Sequence, residues 1–285
     1  MAPSTRQREQ AESLKAEGNS LFSKGKYGAA ADLYTEGITL DPSYAVLYVN
    51  RALCYKKSNR WEQVAKDAQT ALGLSRDLMK AHYLLGVAQR EIGQLSEGIS
   101  HLSKALEQAR EKGDSIKDEI WRELARTKYQ QWQQDSQART ATVAALKQQL
   151  QSMLQAQRLQ GEVAGAAAGC GPGGDFKGSP EQQQQAAMQQ WEELLQRAAH
   201  LDSRTEVPTA FTCPLTMEVF REPVITPSGC SYERSALLEH LAKVGKFDPI
   251  SRQPMSEADI TLNVGLRNAT QQYLDEHPWA WGEVV

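Results

Sequence analysis

The chain has 285 residues, with 32 Lys and Arg against 35 Asp and Glu, for a formal net charge of −3. A balance this even leaves no basic footprint for nucleic acid, no run approaches the ~18 apolar residues of a membrane span, and the polar start MAPSTRQREQAES lacks the apolar core of a signal peptide. Four Cys, at 54, 170, 213 and 230, are scattered without paired spacing, so the expectation is a soluble cytoplasmic protein in a reducing compartment with no cofactor and no metal.

Small residues recur at Gly18, Ala52 and Gly86, each 34 positions from the last. This is the tetratricopeptide (TPR) period. Repeats counted from Ala11, Ala45 and Met79 align Leu14 with Tyr48 and His82, and Tyr34 with Ala68 and Leu102. Each unit reads as two antiparallel helices, and units stack because one pair cannot bury its own apolar face. The predicted array covers 11–114, with a seventh helix from about Ser115 capping its open end.

The first helices of such an array line a groove, and the side chains there decide the ligand. Lys15 and Asn19 are four apart and share a face. Asn50 takes position 6 of the second repeat and Lys80 position 2 of the third. Two ammonium groups and two carboxamides then converge, which is chemistry for a carboxylate and above all for a chain end that carries two. Phe22 and Tyr83 are expected to wall the groove. The set resembles the carboxylate clamp that grips the Glu-Glu-Val-Asp tail of cytosolic heat-shock chaperones of the seventy- and ninety-kilodalton classes. Leu84 stands where many clamps place a further basic residue. The runs LKAEGN, NRALCY and KAHYLLG resemble the CHIP family of co-chaperone ubiquitin ligases, which shares that departure. This resemblance implies an acidic residue of the capping helix that completes the clamp, a role that falls on Glu119, with Asp118 beside it.

From Asp118 to Gln160 the chain has no Gly or Pro and is predicted to form one long helix, so that 115–160 holds the cap and this helix. Val143, Leu146, Leu150 and Met153 make a short 3-4-3 stripe. Gly161–Pro180, with seven Gly and two Pro, reads as a flexible hinge. A second helix is expected within 181–203, with Met188, Trp191, Leu195 and Ala198 on one stripe. Each stripe spans about two heptads, so the helices pack either as a hairpin within one chain or against a second hairpin across a twofold. The family resemblance favours the second, a coiled-coil homodimer.

Phe211–Pro254 has the spacing of a small cross-brace zinc domain without its ligands. Such a module needs eight Cys or His, and the window holds Cys213, Cys230 and His240 alone. Thr216, Gly229, Ser231, Arg234 and the run Asp248-Pro249-Ile250-Ser251 stand where ligands would be, which suggests loops braced by hydrogen bonds and ion pairs. At Cys213-Pro214-Leu215, Glu218, Arg221-Glu222-Pro223-Val224, Gly229, Tyr232-Glu233-Arg234, Asp248-Pro249 and Asn263 the window resembles a U-box, the zinc-free relative of the RING domain, assigned to 207–278. Cys213, followed by Pro and with no His near it in sequence, reads as a buried thiol and not as a nucleophile. The expected elements are strands Pro223–Ile225 and Cys230–Tyr232 around a Thr226–Gly229 turn, a helix Ser235–Val244 that turns Leu238 and Leu241 inward, and a last helix Val264–Leu274 capped by Asn263.

A U-box has no covalent intermediate; it holds a ubiquitin-charged conjugating enzyme where a substrate lysine can attack the thioester. The resemblance implies a docking groove with Leu215 as anchor, Met217 beside it, and Phe247 and Pro249 from a second loop. Arg252 falls at the catalytic cation that steadies the charged thioester, while His240 either docks or packs. The whole reads as a mostly α protein: a three-repeat TPR solenoid, a long helical hairpin and a small α+β U-box. Its expected function is a chaperone-dependent ubiquitin ligase whose partners are chaperones, their clients and conjugating enzymes. A TPR adaptor with a silent U-box is the second reading; Leu215, Pro249 and Arg252 favour the enzyme.

Overall fold

The computed structural model describes residues 4–168, 189–194 and 204–284 and divides into two compact units, Met1–Gln131 with Trp281–Val285, and Trp132–Ala280. The first unit opens with six helices: α1 Thr5–Ser23, α2 Tyr27–Leu40, α3 Ala45–Lys57, α4 Trp61–Leu74, α5 Met79–Ile92 and α6 Leu95–Lys112. The second helix of each pair begins at Tyr27, Trp61 and Leu95, again 34 apart. The same period governs the turns. Gly25, Asn59 and Gly93 have φ of 75°, 55° and 90°, and each lets the next amide reach back across the turn, from Lys26, Arg60 and Gln94 to the carbonyls of Leu21, Tyr55 and Gln89. That left-handed position suits Gly, and Asn is the commonest substitute. α1 begins at Thr5, six residues before the predicted Ala11, because Ser4 and Gln7 form a reciprocal capping box that extends the helix backward.

The small residues sit where paired helices cross. A Cβ on Gly86 would lie 2.7 Å from Leu102 Cγ and 2.9 Å from the Gly98 carbonyl, so α5 and α6 touch through backbone. Gly86→Ala should therefore cost about 1–3 kcal/mol, whereas Gly73→Ala, on an open face of α4, should be neutral or stabilising. Thermal unfolding followed by circular dichroism checks this ordering, which fails if Gly86→Ala melts no lower than Gly73→Ala.

α7, Lys117–Ala168, follows Asp114, whose carboxylate accepts the Ile116 amide. Its first turns bury Ile120, Trp121, Leu124 and Ala125, the expected cap. Within the same unit Trp281, 1 % exposed, packs at a tilt against Trp121, with ring centres 5.2 Å apart. The helix continues eight residues into the predicted hinge. Ala164, Ala166, Ala167 and Ala168 are the best helix formers, and two isolated Gly at about 1 kcal/mol each do not outweigh them. The rest of the predicted hinge, 169–180, lies outside the described residues. Of the second predicted hairpin helix only 189–194 are described, and they are helical. Met188, Leu195 and Ala198 fall outside. Lys147 on α7 pairs with Glu192 at 3.1 Å, so the two segments meet within one chain.

The region 204–280 is a small α+β domain. β1 Pro223–Ile225 pairs antiparallel with β2 Ser231–Glu233 and with β3 Thr261–Leu262, in the order β2-β1-β3. α8 Arg234–Lys243 and α9 Val264–Glu276 complete it. The turn between β1 and β2 is the predicted one, with Gly229 at φ 84° and its amide bonded to the Thr226 carbonyl. β2 starts one residue later than expected, because the Cys230 carbonyl closes the turn by accepting from the Thr226 amide. α8 buries Leu237 and Leu241 in place of Leu238 and Leu241; it starts at Arg234, and Leu237 and Leu241, four apart, share the face over the sheet. β3, two residues long, carries too little alternation to be read from sequence. Cys213, Phe220, Val224, Tyr232, Leu237, Leu241 and Met255 form the core. Asn263 caps α9 by accepting the Leu266 amide at 3.0 Å, as expected. No helix among the described residues is long and apolar enough to cross a membrane.

Candidate functional sites: a polar groove and a pair of docking loops

Tyrosines orient the groove residues. Asn19 Oδ1 accepts from the Tyr34 hydroxyl at 2.8 Å and from Asn50 Nδ2 at 3.1 Å. With its oxygen used twice, Asn19 has its Nδ2 left to donate. Tyr34 is almost wholly buried, and burial pushes its hydroxyl up to about 12, so it stays a donor. Lys15 Nζ donates to the Tyr44 hydroxyl and lies 5.0 Å from that ring's centre. The fold thus brings Asn19 and Asn50 together and steers Lys15 from the same helix as Asn19. Lys80 stands exposed in the first turn of α5. Phe22 is half-buried, edge-on to Tyr27 at 5.1 Å.

Tyr83 is not an open wall. It is 5 % exposed, and its hydroxyl donates to Glu119 at 2.5 Å while accepting from Lys56 at 2.5 Å. Burial, reinforced by Glu119, drives this hydroxyl well above the ordinary tyrosine range; the bond from Tyr83 holds Glu119 below the ordinary carboxylate range. Sequence reading paired Tyr83 and Glu119 with the groove but missed Lys56, whose signal was its position 12 in the second repeat, the counterpart of Phe22 and Arg90.

In the small domain, hydrogen bonds brace the loops. Asp248, 1 % exposed, accepts the hydroxyls of Thr226, Ser228 and Tyr232, each at 2.8 Å, and the amides of Ile250 and Ser251, each at 2.9 Å. Burial opposes its charge, but the Ser251 amide and the three hydroxyls outweigh burial and hold its carboxyl far below the usual range. A second centre joins Glu233, which accepts the Arg221 amide at 2.9 Å and the Glu222 amide at 3.1 Å, to Cys213, whose Sγ accepts the Glu233 amide at 3.2 Å. Cys213 is fully buried and occupied by this bond, so it packs and does not attack. Among the described residues no three His, Cys, Asp or Glu converge to hold a metal ion.

These centres anchor two loops of one design. The Cys213 amide donates to Glu218 and its carbonyl accepts from Met217; the Asp248 amide donates to Gln253 and its carbonyl accepts from Arg252. Isolated bridges, Thr212 with Val219 and Phe247 with Pro254, close both. Met217 and Arg252 each have φ 60°, the left-handed region that costs a side chain of their kind about 1–3 kcal/mol. Pro214 corresponds to Pro249 and Leu215 to Ile250. Leu215 is 38 % exposed, Met217 73 % and Ile250 59 %, an apolar patch presented by both loops. Ile250 was missed from sequence, although the shared Pro-[Leu/Ile]-x-[Met/Arg] pattern was legible. Arg252 is exposed beside Phe247, its guanidinium 5.1 Å from the ring centre. His240 Nε2 lies 3.2 Å from the Phe247 carbonyl, and its ring meets Phe247 edge-on at 5.1 Å, so His240 pins the second loop from behind.

A TPR array with a polar groove, joined to a domain cross-braced by hydrogen bonds with two exposed apolar loops, is the architecture of a TPR-repeat U-box protein. Residues 207–279 match the U-box domain family and residues 18–59 match the TPR repeat family. The chain is 37% identical over 279 residues to the E3 ubiquitin-protein ligase CHIP of Arabidopsis thaliana, covering 95% of each chain. It is also 37% identical over 98 residues to the heat shock protein sti1 homolog of Schizosaccharomyces pombe, covering 32% of this chain and 17% of that one. A similar solved structure is the first TPR of Spaghetti (RPAP3) bound to HSP90 peptide SRMEEVD, at 30% identity and TM-score 0.39 over 42% of this chain and 91% of that one. The chain belongs to the CHIP family of E3 ubiquitin-protein ligases. It is a U-box ubiquitin ligase.

Proposed function

We propose that the ligase is chaperone-dependent: the TPR groove captures the acidic C-terminal tails of cytosolic heat-shock chaperones of both classes, and the U-box ubiquitinates the clients they hold. The reading is carried by the Asn19–Asn50 pair: the Asn19 oxygen is taken up by Tyr34 and Asn50, which leaves its Nδ2 to donate, one turn along α1 from Lys15. Donors without acceptors of their own suit a carboxylate, and Lys80 adds a second cation. Glu119 closes the groove from the capping helix. In the U-box, Leu215, Met217, Phe247 and Pro249 dock the conjugating enzyme, with Ile250 added by the symmetry of the loops. His240 fixes the second loop, and Arg252 supplies the cation at the thioester. The domains assigned from sequence, the TPR array over 11–114 and the U-box over 207–278, divide the labour accordingly.

The same reading makes the protein a cytoplasmic homodimer. Leu146 and Met153 on α7, and Trp191 beside Leu194, are 46–67 % exposed, an apolar stripe on a hairpin that a second copy would cover. Bringing two ligase domains to one chaperone would raise the local concentration of charged conjugating enzyme.

Binding of a fluorescent Glu-Glu-Val-Asp peptide to the full chain tests the groove. Lys15→Ala should weaken it by about 2 kcal/mol or more, roughly thirtyfold, and leave chaperone-independent autoubiquitination intact. Undiminished affinity would remove the clamp assignment.

A further inference from the structure

The groove holds one cation more than the clamp pattern assigns. Lys56 reaches from α3 to a point between Tyr83 and Glu119, 2.5 Å from the hydroxyl and 3.6 Å from the carboxylate. Arg90 occupies the equivalent position one repeat later and faces Glu123, one turn beyond Glu119 on α7, at 2.7 Å. The two pairs differ in kind. Arg90 and Glu123 are both about 15 % exposed, a desolvated pair that fixes the capping helix in register. Glu119 is 54 % exposed and beyond hydrogen-bond reach of Lys56, so that pair is worth ~0–1 kcal/mol and is readily exchanged. Burial holds the Lys56 ammonium below the ordinary lysine range even with Glu119 and Glu123 near it, so its charge remains under-compensated. Leu84, the usual place for a further clamp cation, is fully buried.

We propose that Lys56 is a tail-binding residue that fills the place vacated at Leu84: it exchanges its contact with Glu119 for a side-chain carboxylate of an acidic C-terminal peptide. The inference rests on the clamp reading above. The terminal carboxylate lies with Lys15, Asn19 and Asn50, and Lys56 receives an acidic side chain upstream of it. The Tyr83 hydroxyl, which donates to Glu119, turns its proton to the incoming carboxylate, and Glu119, 54 % exposed, takes water in exchange.

The test is fluorescence anisotropy on the full chain, using a labelled peptide ending in Glu-Glu-Val-Asp and two versions in which one Glu is Gln. Lys56→Met should weaken the parent peptide about tenfold, and one Gln peptide should lose a similar factor on the native chain but none on Lys56→Met. Lys56→Arg, which keeps the charge, should retain the dependence on that glutamate, and it serves the same comparison should Lys56→Met fold poorly. Parent affinity within about twofold of native in Lys56→Met, or a Gln penalty that persists undiminished there, overturns the proposal. Lys15→Ala separates the two failures. If it abolishes binding while Lys56→Met binds normally, the role of Lys56 falls alone; if both bind normally, the clamp reading falls with it.

Discussion

Asp248→Ala should unfold the U-box and abolish ubiquitin transfer while the TPR groove keeps its peptide affinity. Five donors converge on this buried carboxylate, and three of them, Thr226, Ser228 and Tyr232, come from the β1–β2 hairpin. Its removal leaves hydroxyls and amides without their acceptor inside the domain. Bonds to a charged group are worth about 1.5–3 kcal/mol each, and even partial loss reaches roughly 4 kcal/mol. That is comparable with the whole stability expected of a domain of about 70 residues. The carboxylate also sets an acid limit. Its folded pKa is depressed, so its stabilisation is complete above the unfolded value near 3.9 and is lost as the pH falls toward the folded value. Thermal melts from pH 7 to pH 3 should show a U-box transition that drops only at the acid end. Cooperative unfolding and full transfer in Asp248→Ala would mean that the loops are braced by something else.

Leu215→Ala and Pro249→Ala should each lower discharge of ubiquitin from a charged conjugating enzyme by about thirtyfold, with the U-box still folded. Leu215 is exposed and contributes little to the core, so truncation removes an interface anchor worth about 2 kcal/mol. Pro249 stiffens the loop that presents Ile250 opposite it. Arg252→Ala should separate binding from chemistry, with discharge falling by a larger factor than affinity for the conjugating enzyme, because its contribution belongs to the closed thioester. Surface plasmon resonance and single-turnover discharge onto free lysine measure the two quantities. Normal discharge in all three variants would contradict the docking assignment.

The period of 34 made the TPR array legible because one physical constraint repeats: Gly18, Ala52 and Gly86 are small where helices cross, and Gly25, Asn59 and Gly93 are left-handed where they turn. Lys15, Asn19, Asn50 and Lys80 could be singled out from repeat position, whereas Glu119 was named only through the family resemblance. What surrounds them could not be read that way. Lys56 meets Glu119 across 63 positions of sequence, and the hydroxyls that aim Asn19 and Lys15 come from Tyr34 on α2 and from Tyr44 just before α3; contacts between elements leave no periodic trace. In the U-box, missing ligands pointed to hydrogen-bonded loops, and Asp248 proved to be the hub. The internal likeness of its two loops was written in Pro214-Leu215 and Pro249-Ile250, but the shared turn became clear only through the paired backbone bonds of Cys213 and Asp248. The end of α7 departed from expectation because Ala-rich sequence outweighed two glycines, a competition of small energies that composition alone resolves poorly.

The most direct test of the account is reconstituted ubiquitination of a chaperone-bound client, with activating and conjugating enzymes, using the native chain, Lys15→Ala and Pro249→Ala. Client modification should occur with the native chain alone, with autoubiquitination retained by Lys15→Ala and tail binding retained by Pro249→Ala. Client modification that persists in Lys15→Ala would contradict the coupling of groove to U-box. Failure of the native chain with every conjugating enzyme, while the peptide still binds, would reduce the protein to an adaptor.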